Sequence, residues 1–319
     1  MKNLNWKNKV KVLVAMSMLA SALAGVATAG AAAKSKTKIV SSDMPVKVLY
    51  NARQVASDVK PKVVEGAVLV PIRFIGEKIG SKITVAKNNK DISIEKGLSV
   101  VNVTINSNVA TINGKKVTLN AKVLAESGRT LVPLQALNGL GVPVEWDAIT
   151  RFVWVGSKEV PLLEDVAPKA VSIDQYKKLF KGNEILLNVD GKSNRDTVTL
   201  IDDSIFPFKT SDLKTFYRYD LAYDILGQQY IKATTTDKGI TETKMFFMTS
   251  EKLLYRQAVV ELRENATKDV RIHYFPIVSI TDLNYYDDKN YKNFKLKNIQ
   301  TIYIHTSYPS ILVYKPSWR

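Results

Sequence analysis

The chain has 319 residues, 45% of them apolar and 24% charged, which is enough for two domains with real cores and too apolar for a disordered chain. It contains no cysteine, which excludes a disulfide framework, a thiolate metal site and a cysteine nucleophile, so stability has to come from packing. Formal net charge is +16, which draws the protein towards anionic wall polymers or lipid headgroups; plain solubility is the alternative use of that charge.

Residues 1–33 differ from the rest. Lys2, Lys7, Lys9 and Lys11 precede an apolar run from Val12 to Ala24, and small residues follow from Gly25 to Ala33. This order is that of a secretory signal peptide, with Ala27-Thr28-Ala29 as the cleavage pattern ending at Ala29 and Ala31-Ala32-Ala33 as a second choice. The apolar run of about 13 residues is short of the ~20 needed to span a bilayer, and no later run approaches that length. The expectation is a secreted, extracellular protein associated with the cell wall, with no membrane span once the leader is removed. Removing the leader's four lysines leaves +12, of which +8 lies in Lys34–Glu164 and +4 in Asp165–Arg319. Export argues against nucleic acid as a partner, because the usual targets lie in another compartment.

Residues 45–157 contain an internal repeat, 46–95 against 108–156, at an offset of about 62. Val48-Leu49-Tyr50-Asn51-Ala52-Arg53 aligns with Ala110-Thr111-Ile112-Asn113-Gly114-Lys115, and Gly66-Ala67-Val68-Leu69-Val70-Pro71 with Gly128-Arg129-Thr130-Leu131-Val132-Pro133. Asn113-Gly114 predicts a hairpin, since both central positions of a type I′ turn need positive φ. Asn51-Ala52 at the matching place predicts a turn strained by roughly 1 kcal/mol or of another type. Pro71 and Pro133 have φ preset for a first helical turn. Ile72, Ile75 and Ile79, then Leu134, Leu137 and Leu140, each predict one apolar helical stripe, with Gly80 and Gly141 placed as left-handed caps. Such short helices need a sheet to rest on, and each is expected to pack on that of its own repeat. Ile83, Val85, Ile92 and Ile94, and then Val142, Val144, Trp146, Val153 and Val155, alternate as half-buried strands, with Val101, Val103 and Ile105 as a bridging strand. Each repeat thus reads as a ββαββ unit.

With its N-G hairpin, Gly128-Arg129-Thr130-Leu131-Val132-Pro133-Leu134, Leu140-Gly141 and Val144-Glu145-Trp146-Asp147, the second repeat resembles the copper amine oxidase N-terminal stalk domain. It departs at Gln135, where that pattern has arginine; the first repeat keeps Arg73 but lacks the turn glycine and the tryptophan. The resemblance implies a structural appendage, found in paired modules of secreted bacterial proteins, that holds no copper. Oxidase chemistry needs three histidines and a quinone-forming tyrosine, and this chain has only His273 and His305, both in alternating apolar runs. Thr281-Asp282-Leu283-Asn284-Tyr285-Tyr286 is similar to the quinone motif but carries Tyr286 in place of its acidic residue. The reading is therefore not a copper amine oxidase, with no catalytic, metal or cofactor-binding residue assigned.

Residues 158–170, including Pro168, read as a linker, and residues 171–319 as a β-rich domain outside any recognised family. Ile173 to Phe180 predicts a short helix with Ser172 as its cap. Strands are predicted at Ile185–Val189, Val198–Ile201, Tyr217–Ile225, Tyr230–Thr235, Thr241–Met248, Leu253–Leu262, Val270–Ile280, Ile299–His305 and Ile311–Tyr314, with turns at Asp190-Gly191, Asp237-Lys238-Gly239 and Asn265–Asp269; Ser250–Glu264 also suits a helix, through Leu254, Ala258 and Leu262. The fold class is α+β and β-rich: duplicated ββαββ modules, then an antiparallel meander forming a curved sheet or small barrel.

Asp202-Asp203 and Asp287-Asp288 are the carboxylates available for glycoside hydrolysis, although adjacent acids in turns are usually just solvated. Tyr285, Tyr286 and Tyr291, interleaved with Asn284, Asn290 and Asn293, offer rings and amides to a sugar polymer. The leading expectation is a non-catalytic envelope protein whose paired modules present a β-rich domain to a wall polymer, glycan or protein. The alternatives are an extracellular or wall-active hydrolase with its site in the second half, and an apolar-ligand carrier if the meander closes into a barrel.

Overall fold

The computed structural model of the protein describes residues 37–188, 195–236, 244–306 and 308–318. The expected leader and its expected cleavage site at Ala29, and the turns expected at Asp190-Gly191 and Asp237-Lys238-Gly239, lie outside them. Among the described residues no helix is long and apolar enough to cross a membrane.

Strands β1 (Ile39–Asp43), β2 (Lys47–Tyr50), β3 (Arg53–Gln54), β4 (Lys62–Val64) and β5 (Ala67–Pro71) lead into helix α1 (Ile72–Ile79), followed by β6 (Lys82–Val85), β7 (Asp91–Lys96) and β8 (Ser99–Thr104). The second repeat supplies β9 (Val109–Ile112), β10 (Lys115–Thr118), β11 (Leu124–Glu126), β12 (Arg129–Pro133), helix α2 (Leu134–Leu137) continued by a 3₁₀ turn at Asn138–Leu140, β13 (Val144–Asp147) and β14 (Phe152–Val155). Gly80 and Gly141 end their helices at φ 70° and 67°, as the left-handed cap requires. Pro71 and Pro133 stand one residue before the first helical turn, not in it. Each is the last residue of a strand, where its missing donor leaves the ladder intact.

The two repeats are interleaved. β5 and β12 run antiparallel with Val70 opposite Val132, Leu69 opposite Pro133 and Leu131 opposite Pro71, so equivalent positions of the two repeats meet at Val70–Val132 and a pseudo-two-fold axis passes through that pair. About this axis the closing hairpin of each repeat is exchanged. β13–β14 extend the first repeat's β2–β3, with β14 parallel to β2, while β6–β7 extend the second repeat's β9–β10 through the bridging strand β8. The expectation that each helix packs on its own repeat holds only in part: α1 lies against β6 of its own repeat and also against β12 of the second, and α2 against β12 of its own and also against β5 of the first. Period-two alternation fixes which face of a strand is apolar but not which repeat supplies its neighbour. Val70, Ile75, Ile94, Val101, Leu137 and Val153 belong to the single core that results.

Beyond the modules come α3 (Leu163–Val166), β15 (Val171–Ser172), β16 (Thr197–Ile201), β17 (Phe208–Lys209), β18 (Thr215–Asp224), β19 (Gln229–Thr235), β20 (Met245–Met248), β21 (Leu253–Arg256), β22 (Glu264–Asn265), β23 (Arg271–Pro276), α4 (Thr281–Tyr286), β24 (Thr301–Ile304) and β25 (Ile311–Tyr314). The half is β-rich and almost wholly antiparallel, as the alternation predicts. Its strands divide into two sheets, β1-β18-β19-β23-β22 with β17 also on β18, and β15-β16-β25-β24-β20-β21, in which β16 and β25 pair in parallel. Phe208, Phe216 and Phe275 of the first sheet share a core with Phe247, Ile302 and Leu312 of the second. Each such buried side chain stabilises by roughly 1.5–3 kcal/mol.

Three local expectations are corrected. Residues 173–180 form turns and a 3₁₀ helix at Lys177–Phe180, with Ile173, Leu179 and Phe180 held by the core. Ile185 to Leu187 lies in a 3₁₀ helix, Glu184–Leu187, not a strand. The segment 158–170 is no free tether: Leu163 is fully buried, and the Pro161 carbonyl accepts from the Lys209 amide at 2.8 Å.

Candidate functional site

The two halves are joined by polar side chains that the sequence alone leaves unassigned. Arg218 and Asp220, on β18, are 1% and 3% exposed. The Arg218 guanidinium grips Asp220 through Nε and Nη2, each at 2.6 Å, and its Nη1 donates to the carbonyls of Thr150 at 2.6 Å and Pro45 at 3.1 Å. Arg53 at the end of the first hairpin donates to the carbonyls of Ser204 and Ile205 at 2.7 and 2.9 Å. β1 adds itself to β18 as an edge strand, with Asp43 accepting from the Tyr223 hydroxyl at 2.8 Å.

Three of the four acids weighed for hydrolysis are committed to a contact. Asp202 caps the turn after it by accepting from the Ser204 amide at 2.8 Å. Asp203 accepts from Lys47 at 3.4 Å, the Tyr314 hydroxyl at 3.0 Å and the Ser317 amide at 2.8 Å. Burial pushes its carboxyl up, but Lys47 and these donors outweigh it and hold the group below the usual range. Asp288 pairs with Lys252 at 3.1 Å, and Asp287 ends α4 in the left-handed conformation, φ 52°.

The predicted tyrosines do not form one binding face. Tyr285 is 41% exposed, Tyr291 lies in a 3₁₀ turn, and Tyr286 points inward with its hydroxyl accepting from the Tyr255 amide at 2.9 Å. The preceding Asp282 is buried in a bidentate pair with Arg256, at 2.6 and 2.7 Å, whose guanidinium lies over the rings of Phe247 and Phe294. The stretch similar to a quinone motif is thus a helix tied into the core. His273 is buried on β23, and His305 accepts or donates through Nδ1 to the Tyr303 hydroxyl at 2.8 Å.

Most of the repeat's own motif residues make contacts within the modules. Arg129 pairs with Asp58 at 2.6 Å and lies over the Phe74 ring, Trp146 packs on the module core, and Arg73 projects to solvent. Asn113 accepts from the Val100 amide at 2.8 Å, tying the Asn113-Gly114 turn to the bridging strand; Gly128 takes φ 72° before β12.

A groove of about 590 Å³ lies on the solvent face of the five-stranded sheet β10-β9-β8-β7-β6. Its floor is a cross-strand row in register: Thr84 opposite Ser93, Ser93 opposite Asn102, Asn102 opposite Thr111, and Lys116 beyond it on the edge strand. Alternate residues Ile92, Ile94, Val101, Val103 and Ala110 point into the core, which fixes the row's orientation. Asp91 on the rim accepts from the Thr104 hydroxyl at 2.6 Å and from Asn88 at 2.7 Å. Sequence reasoning missed this site because its signal is spread over strands whose pairing is not local. Small polar residues at the outward positions of four strands were the available clue.

The fold and these ties define a paired, β-rich structural module carrying a second β domain. A family model described as Copper amine oxidase N-terminal domain matches residues 49–155, so a third of the chain is a domain of that family. The match is to the N-terminal domain of those enzymes and not to their catalytic domain. No curated protein matches the chain.

Proposed function

We propose that this is an exported, non-catalytic protein of the cell envelope that binds a neutral wall glycan in the groove on the paired modules, with the β-rich half fixed to them as one body. The row Thr84–Ser93–Asn102–Thr111 carries this reading. Four side chains that both donate and accept stand at the strand spacing of about 4.8 Å, close to the length of one pyranose unit along an extended chain. Asp91 is the one charged residue among the described residues lining the groove, which suits hydroxyl and amide groups better than a polyanion.

Co-sedimentation of the leaderless protein with isolated cell wall, across a salt series, tests it. Binding through the groove should persist as salt rises, whereas attraction by net charge alone weakens steeply. Replacing Asn102 and Thr111 with alanine should lower binding about ten-fold, the effect of roughly 1.4 kcal/mol in lost hydrogen bonds. Undiminished binding by that variant would remove the groove from the reading.

A further inference from the structure

Arg195 is 6% exposed, yet among the described residues no carboxylate pairs with it. Its Nη2 donates to the Thr306 carbonyl at 2.8 Å and its Nη1 to the Tyr303 hydroxyl at 3.3 Å, while its Nε–H is buried with no partner. A guanidinium taken from water is ordinarily matched by an acid, and leaving it with neutral acceptors is costly. Tyr303 links the two: its hydroxyl accepts from Arg195 and lies 2.8 Å from His305 Nδ1, in hydrogen-bond contact with it. Lys244 stands at the same end of the sheet, its carbonyl accepting from the His305 amide at 3.3 Å. Lys214 is also close, but Asp212 offsets it at 3.2 Å.

We infer that Arg195, Lys244 and His305 form a binding site for a phosphate dianion, either inorganic or the terminal monoester of a larger molecule. The charge count selects the ligand. Arg195 and Lys244 leave two positive charges uncompensated among the described residues, and a phosphate monoester carries about −1.5 to −2 near neutral pH. A carboxylate or phosphodiester, with one negative charge, neutralises half of that. The donors match too: the Arg195 Nε–H without a partner among the described residues, the ammonium, and the imidazolium that a bound anion favours all donate hydrogen bonds. The depressed basicity of His305, which burial causes first and Lys244, Arg195 and Lys214 deepen, is what a positive field with no anion in it produces. This site lies on the β-rich half and is independent of the groove.

The chain has two histidines, so their ring signals can be followed individually by NMR in the leaderless protein. Inorganic phosphate should shift the His305 signals saturably at millimolar concentration and raise its pKa from about 4 by about one unit or more, leaving His273 unmoved. Glycerol phosphate, a monoester, should do the same, and acetate or a phosphodiester should bind at least ten-fold more weakly. Lys244→Gln, at a partly exposed position, should weaken phosphate binding at least ten-fold with the His305 spectrum of the free protein still that of a folded site. Arg195→Gln should abolish it, and the Lys244 variant keeps the test valid if that protein fails to fold. No saturable phosphate effect on His305, equal binding of acetate, or unchanged affinity in Lys244→Gln would each overturn the proposal.

Discussion

Arg218 donates to the Thr150 carbonyl at 2.6 Å, so one side chain of the β-rich half holds the main chain of the paired modules from within a buried seam. The same guanidinium neutralises Asp220, and removing it leaves that carboxylate and two carbonyls without their donor. Arg218→Met should cost about 3–5 kcal/mol. Urea unfolding should then resolve the two halves as separate transitions, and Arg218→Met combined with Asp220→Leu should recover part of the loss. A single transition at the parent midpoint would show that the seam contributes little.

Asp282 and Arg256 set a second test. Asp282→Asn leaves a fully buried guanidinium without its counter-charge between Phe247 and Phe294, with an expected loss of about 3–5 kcal/mol. Tyr285→Phe, three residues along the same helix and exposed, should stay within about 0.5 kcal/mol. Denaturation midpoints of the two variants give the comparison, and similar values would contradict the structural role assigned to α4.

Acid should weaken the fold through His305. Its imidazole is pushed from 6.5 down to about 4, so across that interval the unfolded chain takes up a proton that the folded chain refuses. Stability from this group is full above pH 6.5 and is lost as pH falls towards 4, by about 3 kcal/mol at most. His305→Gln should flatten that part of the profile, measured by urea unfolding at a series of pH values. An unchanged slope would assign the acid sensitivity to other groups.

Backbone requirements give a fourth prediction. Ala52 takes φ 60° and is fully buried beside Leu49, Phe152 and Trp154. Ala52→Gly relieves roughly 1 kcal/mol of left-handed strain and gives up a buried methyl of about 0.8 kcal/mol, so it should be nearly neutral. Gly139 is the opposite case: an added Cβ would come within 2.3 Å of Ile112 Cγ2 and 2.9 Å of Val101 Cγ2. Gly139→Ala should cost about 1–3 kcal/mol by overpacking, and thermal unfolding of the pair would show whether the ranking holds.

Much of the module was legible in the residues because its signals are local. Asn113-Gly114, the prolines before the helices, and Gly80 and Gly141 after them each act within a few positions, and the structure places turns, helix starts and left-handed caps there. Strand limits at Ile311–Tyr314 were equally clear, since an apolar run bounded by polar turns needs no knowledge of its partner. What the residues concealed was long-range. Arg218 and Asp220 look like the wet side of an alternating strand, and the Pro45, Thr150 and Phe152 contacts of Arg218 come from residues distant in the chain. The groove row, likewise, exists only once β6 to β10 are brought into register. Tyr286 read as a presented ring because nothing near it in the chain reveals the Tyr255 amide it serves.

The exchange of closing hairpins about Val70 and Val132 bears on how such a protein can change over time. Cutting the gene after the first copy would strip β2–β3 and β6–β7 of the strands beside them and expose their apolar faces together. A single copy could cover those faces only by exchanging hairpins with a second copy, so a truncated chain should exist as a symmetric dimer and not as a folded monomer.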